Sequence, residues 1–165
     1  MRVVVQRVGQ ASVSVDGAPI AAIGAGVLAL VGIGRNDTRA DFEWMARKIV
    51  ELRIFDDAAG KLNLNLMDTG GELLLVSQFT LYGDCRKGRR PSYTDAALPG
   101  EAQRLYDEFL EAVRRHLPSA RSGQFQAMMD VSLTNRGPVT LILESPSERR
   151  GRDGHPPAGS GDTLT

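Results

Sequence analysis

Apolar residues recur along this chain in two periods, and the switch between them lays out its elements. Met1–Val8 is rich in β-branched residues and predicts a strand. Ala11–Val15 alternates small or apolar residues with Ser12 and Ser14, as a half-exposed strand does. Asp16-Gly17 then supplies a tight hairpin turn, because glycine tolerates positive φ. Val27–Ile33 is apolar on both faces and predicts a buried central strand. The period next lengthens. From a cap at Asp37 or Thr38 to about Arg53, Phe42, Met45, Ile49 and Leu52 fall on one helical stripe. Asp56–Gly60 is a turn, after which Leu62, Leu64 and Leu66 alternate with Asn63 and Asn65 as another strand. Gly70-Gly71 breaks that strand, and Glu72–Leu81 reads as a long strand with an apolar start.

Tyr82–Leu98 lacks periodicity and predicts an extended surface loop. A second helix runs from about Glu101 to Leu117, with Leu105, Phe109 and Ala112 or Val113 on its stripe and Pro118 as its stop. Phe125, Ala127, Met129, Val131 and Leu133 alternate with Gln124, Gln126, Met128, Asp130 and Ser132, the cleanest strand pattern in the chain. Asn135–Pro138 predicts a turn and Val139–Leu143 the last strand. Ser145–Thr165 is rich in Pro, Gly, Ser and charge. It predicts a disordered tail, since it cannot bury enough apolar surface to offset its ordering entropy. The elements add up to an α/β chain: one domain over residues 1–144, of about seven or eight strands and two helices, then a tail over 145–165.

Composition changes this picture only at the margins. A length of 165 residues suits one domain with a self-sufficient core. Lys+Arg and Asp+Glu both number 20, so the chain is not one that coats nucleic acid indiscriminately, although a local basic patch remains open. The single cysteine, Cys85, has no internal disulfide partner, which points to a reducing cytoplasm. Arg2 and Arg7 are followed by no apolar segment of signal-peptide length, and the longest apolar run, Val27–Ile33, is too short to span a membrane.

The chemistry is bounded by what is missing. His155 lies in the expected tail, and His116 sits at a helix end, where a cap or a half-buried helix residue explains it better than a base. A Ser–His–Asp or Cys–His site and a zinc site are therefore not expected, and no phosphate-binding P-loop or G-x-G-x-x-G occurs. Cys85 beside Arg86 and Lys87 reads more simply as a loop cysteine than as a nucleophile. Three segments remain. Ser77-Gln78-Phe79-Thr80-Leu81 puts two hydroxyls and an amide at the end of an apolar strand. That suits either a carbonyl-binding site or a solvated edge. Asn135–Thr140 holds a Gly-Pro step, either an ordinary turn or a site for a cis peptide. Arg86-Lys87-Gly88-Arg89-Arg90, with Tyr93 near, fits a phosphate backbone and a solvated charge run equally well.

Together with the N-terminus these segments resemble one family. Met1-Arg2-Val3-Val4-Val5-Gln6-Arg7-Val8, Ala46-Arg47-Lys48-Ile49 through Leu52-Arg53-Ile54-Phe55, Val76–Tyr82 running into Arg86–Ser92, and Val131-Ser132-Leu133 through Gly137-Pro138-Val139-Thr140 are similar to the D-aminoacyl-tRNA deacylases, in the family's order over about residues 1–144. The resemblance implies a compact fold of mixed or antiparallel β layers backed by the helices, working as a homodimer without cofactor or metal. It implies hydrolysis of tRNA esters of D-amino acids and glycine. The cis Gly137-Pro138 of one subunit would enter the other's site and exclude L side chains, steadied by Arg7. Ser77, Gln78, Phe79 and Thr80 would surround the ester, and Phe125, Ala127 and Met129 would form the pocket strand. The family often has an acidic residue at the position of Met128 and a small one at Gln126. By alternation both are expected to face away from the pocket.

The expected mechanism follows from the scarcity of bases. Thr80 as nucleophile would have no evident activator, so positioning, an oxyanion hole and assistance from the terminal ribose 2′-OH form the preferred account. Two other functions are compatible with the residues: editing of a different aminoacyl-tRNA, and nucleic-acid binding without catalysis through Arg86, Lys87, Arg89 and Arg90.

Overall fold

The computed structural model describes residues 1–147. A long first strand, β1 (Arg2–Val15), turns at Asp16-Gly17 into β2 (Ala18–Ile23) and continues through β3 (Gly26–Gly32) to helix α1 (Arg39–Glu51). Short β4 (Phe55–Asp56) and β5 (Leu62–Leu64) precede a one-turn α2 (Leu66–Thr69) and β6 (Glu72–Ser77). A 3-10 turn (Phe79–Tyr82), α3 (Pro99–His116), β7 (Arg121–Ser122) and β8 (Met129–Glu144) follow. The main sheet runs β2-β1-β3-β6-β7, with β8 also on β1. β1 is antiparallel to β2, β3 and β8, whereas β3–β6 and β6–β7 are parallel, so the sheet is mixed.

The two expected N-terminal strands are one. β1 buries Val3 and Val5 under the helices, then Val8, Ala11 and Val13 against a second apolar cluster. Register shifts against β8 between Gln6 and Gln10 change which face is buried, which is why the pattern broke in sequence. β3 is buried on both faces, with Val27, Ala29 and Val31 toward the helices and Leu28 away from them. α1 and α3 cover one face of the sheet through Phe42, Met45, Ile49, Phe109 and Val113, and Phe42 meets Phe109 edge-on at 6.1 Å. Thr38 and Asp41 form the capping box of α1.

Four expectations are corrected, and one strand is added. Ala18–Ile23 is a strand that its sparse pattern did not announce. The strand through Leu66 ends at Leu64, because the Asn65 side chain accepts from the Met67 and Asp68 amides and starts α2, with Gly70 at φ 62 closing it. Glu72–Leu81 ends as a strand at Ser77. Phe125–Met128 is irregular backbone, with Gln126 at φ 60, and β8 starts only at Met129. Asn135–Pro138 is not a turn between two strands. β8 passes through it, with Asn135 opposite Val8 and Thr140 opposite Gln6, so the residues between them bulge outward past Arg7.

The chain is also held in place later than the expected tail allows. Ser145 is fully buried, its amide donates to the Met1 carbonyl at 2.9 Å, and its hydroxyl accepts from the Met1 ammonium at 2.8 Å. Ser147 donates to the Asp41 carboxylate. The rest of the expected tail lies outside the described residues.

Candidate active site

β3 and β6 run parallel until Val31 pairs with Ser77, and there the ladder ends. The Gln78 amide still donates to the Val31 carbonyl at 2.7 Å, after which the chain coils into the 3-10 turn. Within that turn the first internal bond is Leu81 N–H to the Gln78 carbonyl, at 3.2 Å. The Phe79 and Thr80 amides precede it and have no acceptor inside the turn. The Gln78 side-chain amide donates to the Thr80 hydroxyl, fixing both polar side chains.

These residues form one wall of a cavity of about 830 Å³. Ser77, Gln78, Phe79 and Thr80 face Phe125, Ala127 and Met129, so both expected groups meet in one place. Ala102 and Tyr106 of α3 add a third wall. Tyr106 is buried, its ring lies 5.5 Å from that of Phe125, and its hydroxyl has no hydrogen-bond partner among the described residues. Burial pushes the Tyr106 phenol well above its ordinary value, so it stays protonated and can donate but not serve as a base. Among the described residues no carboxylate, imidazole, amine, guanidinium or thiol lines this cavity. Its chemistry is that of amides, hydroxyls and apolar walls.

Gln126 and Met128 correct the alternation argument, because both line the cavity. Alternation of faces holds only in extended backbone, and this segment is not a strand. Met128 is 89% exposed at the rim. Ala102 and Tyr106 were missed because their helical spacing reads as ordinary core packing. Only the buried, unpartnered hydroxyl sets Tyr106 apart.

The Gly137-Pro138 peptide is cis and exposed, and it does not line its own chain's cavity. Its bulge is held from two sides. Arg7 Nε donates to the Arg136 carbonyl at 2.9 Å, while Arg7 Nη1 reaches the Ile54 carbonyl at 2.8 Å and Asp56 at 3.2 Å. Asn135 spans the bulge, accepting from the Val139 amide at 2.9 Å and donating to the Val139 carbonyl at 3.1 Å. Position 137 admits only glycine: φ is +131°, and a Cβ would lie 2.7 Å from Arg7 Nη2 and 2.9 Å from Val139 Cγ2.

The basic run occupies a loop closed by reciprocal Asp84–Ser92 backbone bonds of 2.8 and 2.9 Å. Arg86 makes a two-point contact with Asp84 at 2.9 and 2.7 Å, while its side chain stays 87% exposed. Hydrogen bonds and charge from Arg86 hold the Asp84 carboxyl down at about 2. Lys87, Arg89 and Arg90 are exposed, with no charge partner among the described residues. Among those residues no three His, Cys, Asp or Glu side chains gather as a metal-holding group, and no helix is long and apolar enough to cross a membrane.

Known proteins share this sequence and this fold. The family described as D-Tyr-tRNA(Tyr) deacylase matches residues 4–144. A D-aminoacyl-tRNA deacylase of Bacillus velezensis is 56% identical over 145 residues, covering 88% of this chain and 99% of the relative. That of Thermosipho africanus is 54% identical, covering 88% and 97%. A solved structure titled c-Myc DNA Unwinding Element Binding Protein superposes with a TM-score of 0.84 at 44% identity, covering 88% of this chain and 99% of that one. A probable eukaryotic D-amino acid tRNA deacylase shares the fold at 18% identity, with a TM-score of 0.71 over 86% and 97% of the two chains. On the match across residues 4–144 and the identities above 50%, the chain belongs to the D-Tyr-tRNA(Tyr) deacylase family.

Proposed function

We propose that this chain hydrolyses the ester of D-aminoacyl-tRNA to free D-amino acid and tRNA, accepts glycyl-tRNA, rejects L-aminoacyl-tRNA, and does so in the cytoplasm. The observation that carries the reading is the cavity itself. It is large enough for an aminoacyl group, has the Phe79 and Thr80 amides in its wall at the end of a strand, and among the described residues its one ionisable lining group is the Tyr106 phenol, which burial keeps protonated. Such a site can position an ester and stabilise a tetrahedral oxyanion, but it cannot activate water by itself. Water therefore attacks the acyl carbon with help from the ribose 2′-OH of the substrate. The tetrahedral intermediate collapses, the acyl–oxygen bond breaks, and the 3′ oxygen leaves with a proton. Thr80 orients through Gln78 instead of forming an acyl-enzyme.

The selectivity reading requires two subunits. The Gly137-Pro138 bulge is braced by Arg7 and Asn135, yet it does not line its own chain's cavity. Exposed Leu133, Leu141 and Ile142 lie on the same outer strand, β8. These features support a homodimer in which each bulge enters the partner's cavity and its carbonyls crowd out an L side chain. Glycine and D-amino acids direct no side chain there.

The test is ester loss from D-Tyr-tRNA, Gly-tRNA and L-Tyr-tRNA under one set of conditions. Loss of the first two with L-Tyr-tRNA spared is expected; hydrolysis of the L ester would overturn the selectivity. The exposed Lys87, Arg89 and Arg90 favour a second reading, nucleic-acid binding without catalysis. It predicts no ester loss from any of the three substrates while RNA or DNA is still bound.

A further inference from the structure

Phe79 is 59% exposed although it sits on a tightly bonded 3-10 turn at the cavity wall. Its ring lies 5.1 Å from that of Tyr93, at 69°, and Tyr93 is itself 38% exposed. Neither ring belongs to an apolar cluster of the core. Tyr93 packs where Gly83 leaves room, since a Cβ on Gly83 would lie 3.1 Å from its ring. Tyr93 also follows Ser92, which with Asp84 closes the loop carrying Lys87, Arg89 and Arg90. A line from the cavity outward thus meets an amide-rich wall, then two exposed rings, then a loop with three exposed cations. Unpaired RNA presents the complementary order: an esterified terminal nucleoside, then bases whose faces stack on aromatics, joined by phosphates that take cations.

We infer that Phe79 and Tyr93 form a stacking platform for the unpaired bases at the 3′ end of the tRNA, just upstream of the esterified nucleoside. The inference rests on the deacylase reading and extends it from the ester to the adjoining nucleotides. Tyr93 is then a binding residue that acts on the polynucleotide and not on the reacting bond.

The test compares two substrates and one probe. D-Tyr-tRNA carries the upstream bases, while D-tyrosyl-adenosine stops at the terminal nucleoside. Tyr93→Ala should raise KM for D-Tyr-tRNA roughly tenfold, the usual scale for loss of one base–aromatic stack. It should change KM for D-tyrosyl-adenosine far less, and Tyr93→Phe should restore the tRNA value. An RNA oligonucleotide ending in cytidine–cytidine–adenosine, with 2-aminopurine replacing the penultimate base, should be quenched by the wild type and not by Tyr93→Ala. Equal KM losses on both substrates would show that Tyr93 merely props the Phe79 turn, and would overturn the proposal. So would failure of Tyr93→Phe to rescue, or an unquenched probe on the wild type. A wild type that hydrolyses neither ester would defeat the deacylase reading alone, and the quenching would still decide the platform.

Discussion

Gln126 holds a backbone conformation that glycine takes freely and a side chain resists, with φ at 60° on the cavity rim. A left-handed non-glycine residue costs about 1–2 kcal/mol. Gln126→Gly should therefore stabilise the chain by about 1 kcal/mol after the extra unfolded-state entropy of glycine is subtracted, read as a higher urea midpoint at unchanged slope. A lower midpoint would mean that the Gln126 side chain contributes more than its backbone costs. Thr80 poses a chemical question at the same scale. Its hydroxyl is fixed by Gln78, and no base among the described residues lines the cavity. Thr80→Ala should keep measurable turnover, whereas replacing the substrate's terminal 2′-OH with hydrogen should cost more than the roughly 10²–10³ of one lost transition-state hydrogen bond. Trapping an ester on Thr80, or normal turnover of the 2′-deoxy substrate, would reverse this assignment.

Among the elements, the loop between Asp84 and Ser92 makes the clearest separate prediction. Replacing Lys87, Arg89 and Arg90 with Gln should weaken tRNA binding and lower the slope of log K against log salt by about 2–3, at little change in the saturated rate. Adding Arg86→Gln should remove less than its formal charge suggests, because Asp84 already neutralises it. An unchanged salt slope would show the loop to be only solvated. The elements also show what the chain made legible. The stripes of α1 and α3 and the doubly buried β3 were readable because one period persists over several turns or pleats. The cavity residues fell where periods fail. The 3-10 turn at Phe79 and the Gln126 kink are set by where the β3–β6 ladder ends and β8 begins. Those are tertiary facts, and a local pattern carries them weakly. Ser77–Thr80 and Gly137-Pro138 were found through family likeness, since their spacing alone fitted an edge strand and a plain turn. The strand assumed for Phe125–Met128 placed Gln126 and Met128 on the wrong face for the same reason: alternation was carried beyond the ladder that enforces it.

For the whole molecule, the two ends of the described chain meet at α1. Burial opposes ionisation of Asp41, but hydrogen bonds from Ser147, Thr38 and Ser145 outweigh it and hold its carboxyl at about 2, below the ordinary 3.8. A carboxyl depressed in the folded state stabilises fully above its unfolded value and loses that stabilisation as pH falls through the folded one. Stability should therefore decline between about pH 4 and pH 2, with Asp41 contributing no more than about 2 kcal/mol of the fall. Asp41→Asn should flatten that limb in urea titrations, and an identical limb would remove Asp41 from the account. The assembly is tested by complementation. Ala102→Trp should fill the cavity but leave the bulge intact, whereas Gly137→Val should displace the bulge, since even a Cβ there would lie 2.7 Å from Arg7. Each variant alone should lose at least tenfold in turnover of D-Tyr-tRNA. If the bulge of one subunit completes the other's cavity, a heterodimer regains one working site, from the cavity of the Gly137→Val chain and the bulge of the Ala102→Trp chain. Random re-association of equal amounts should then recover about a quarter of the wild-type sites, because half the dimers are mixed and each holds one good site of two. If the bulge instead serves its own cavity, every chain in the mixture carries one defect and mixing recovers nothing.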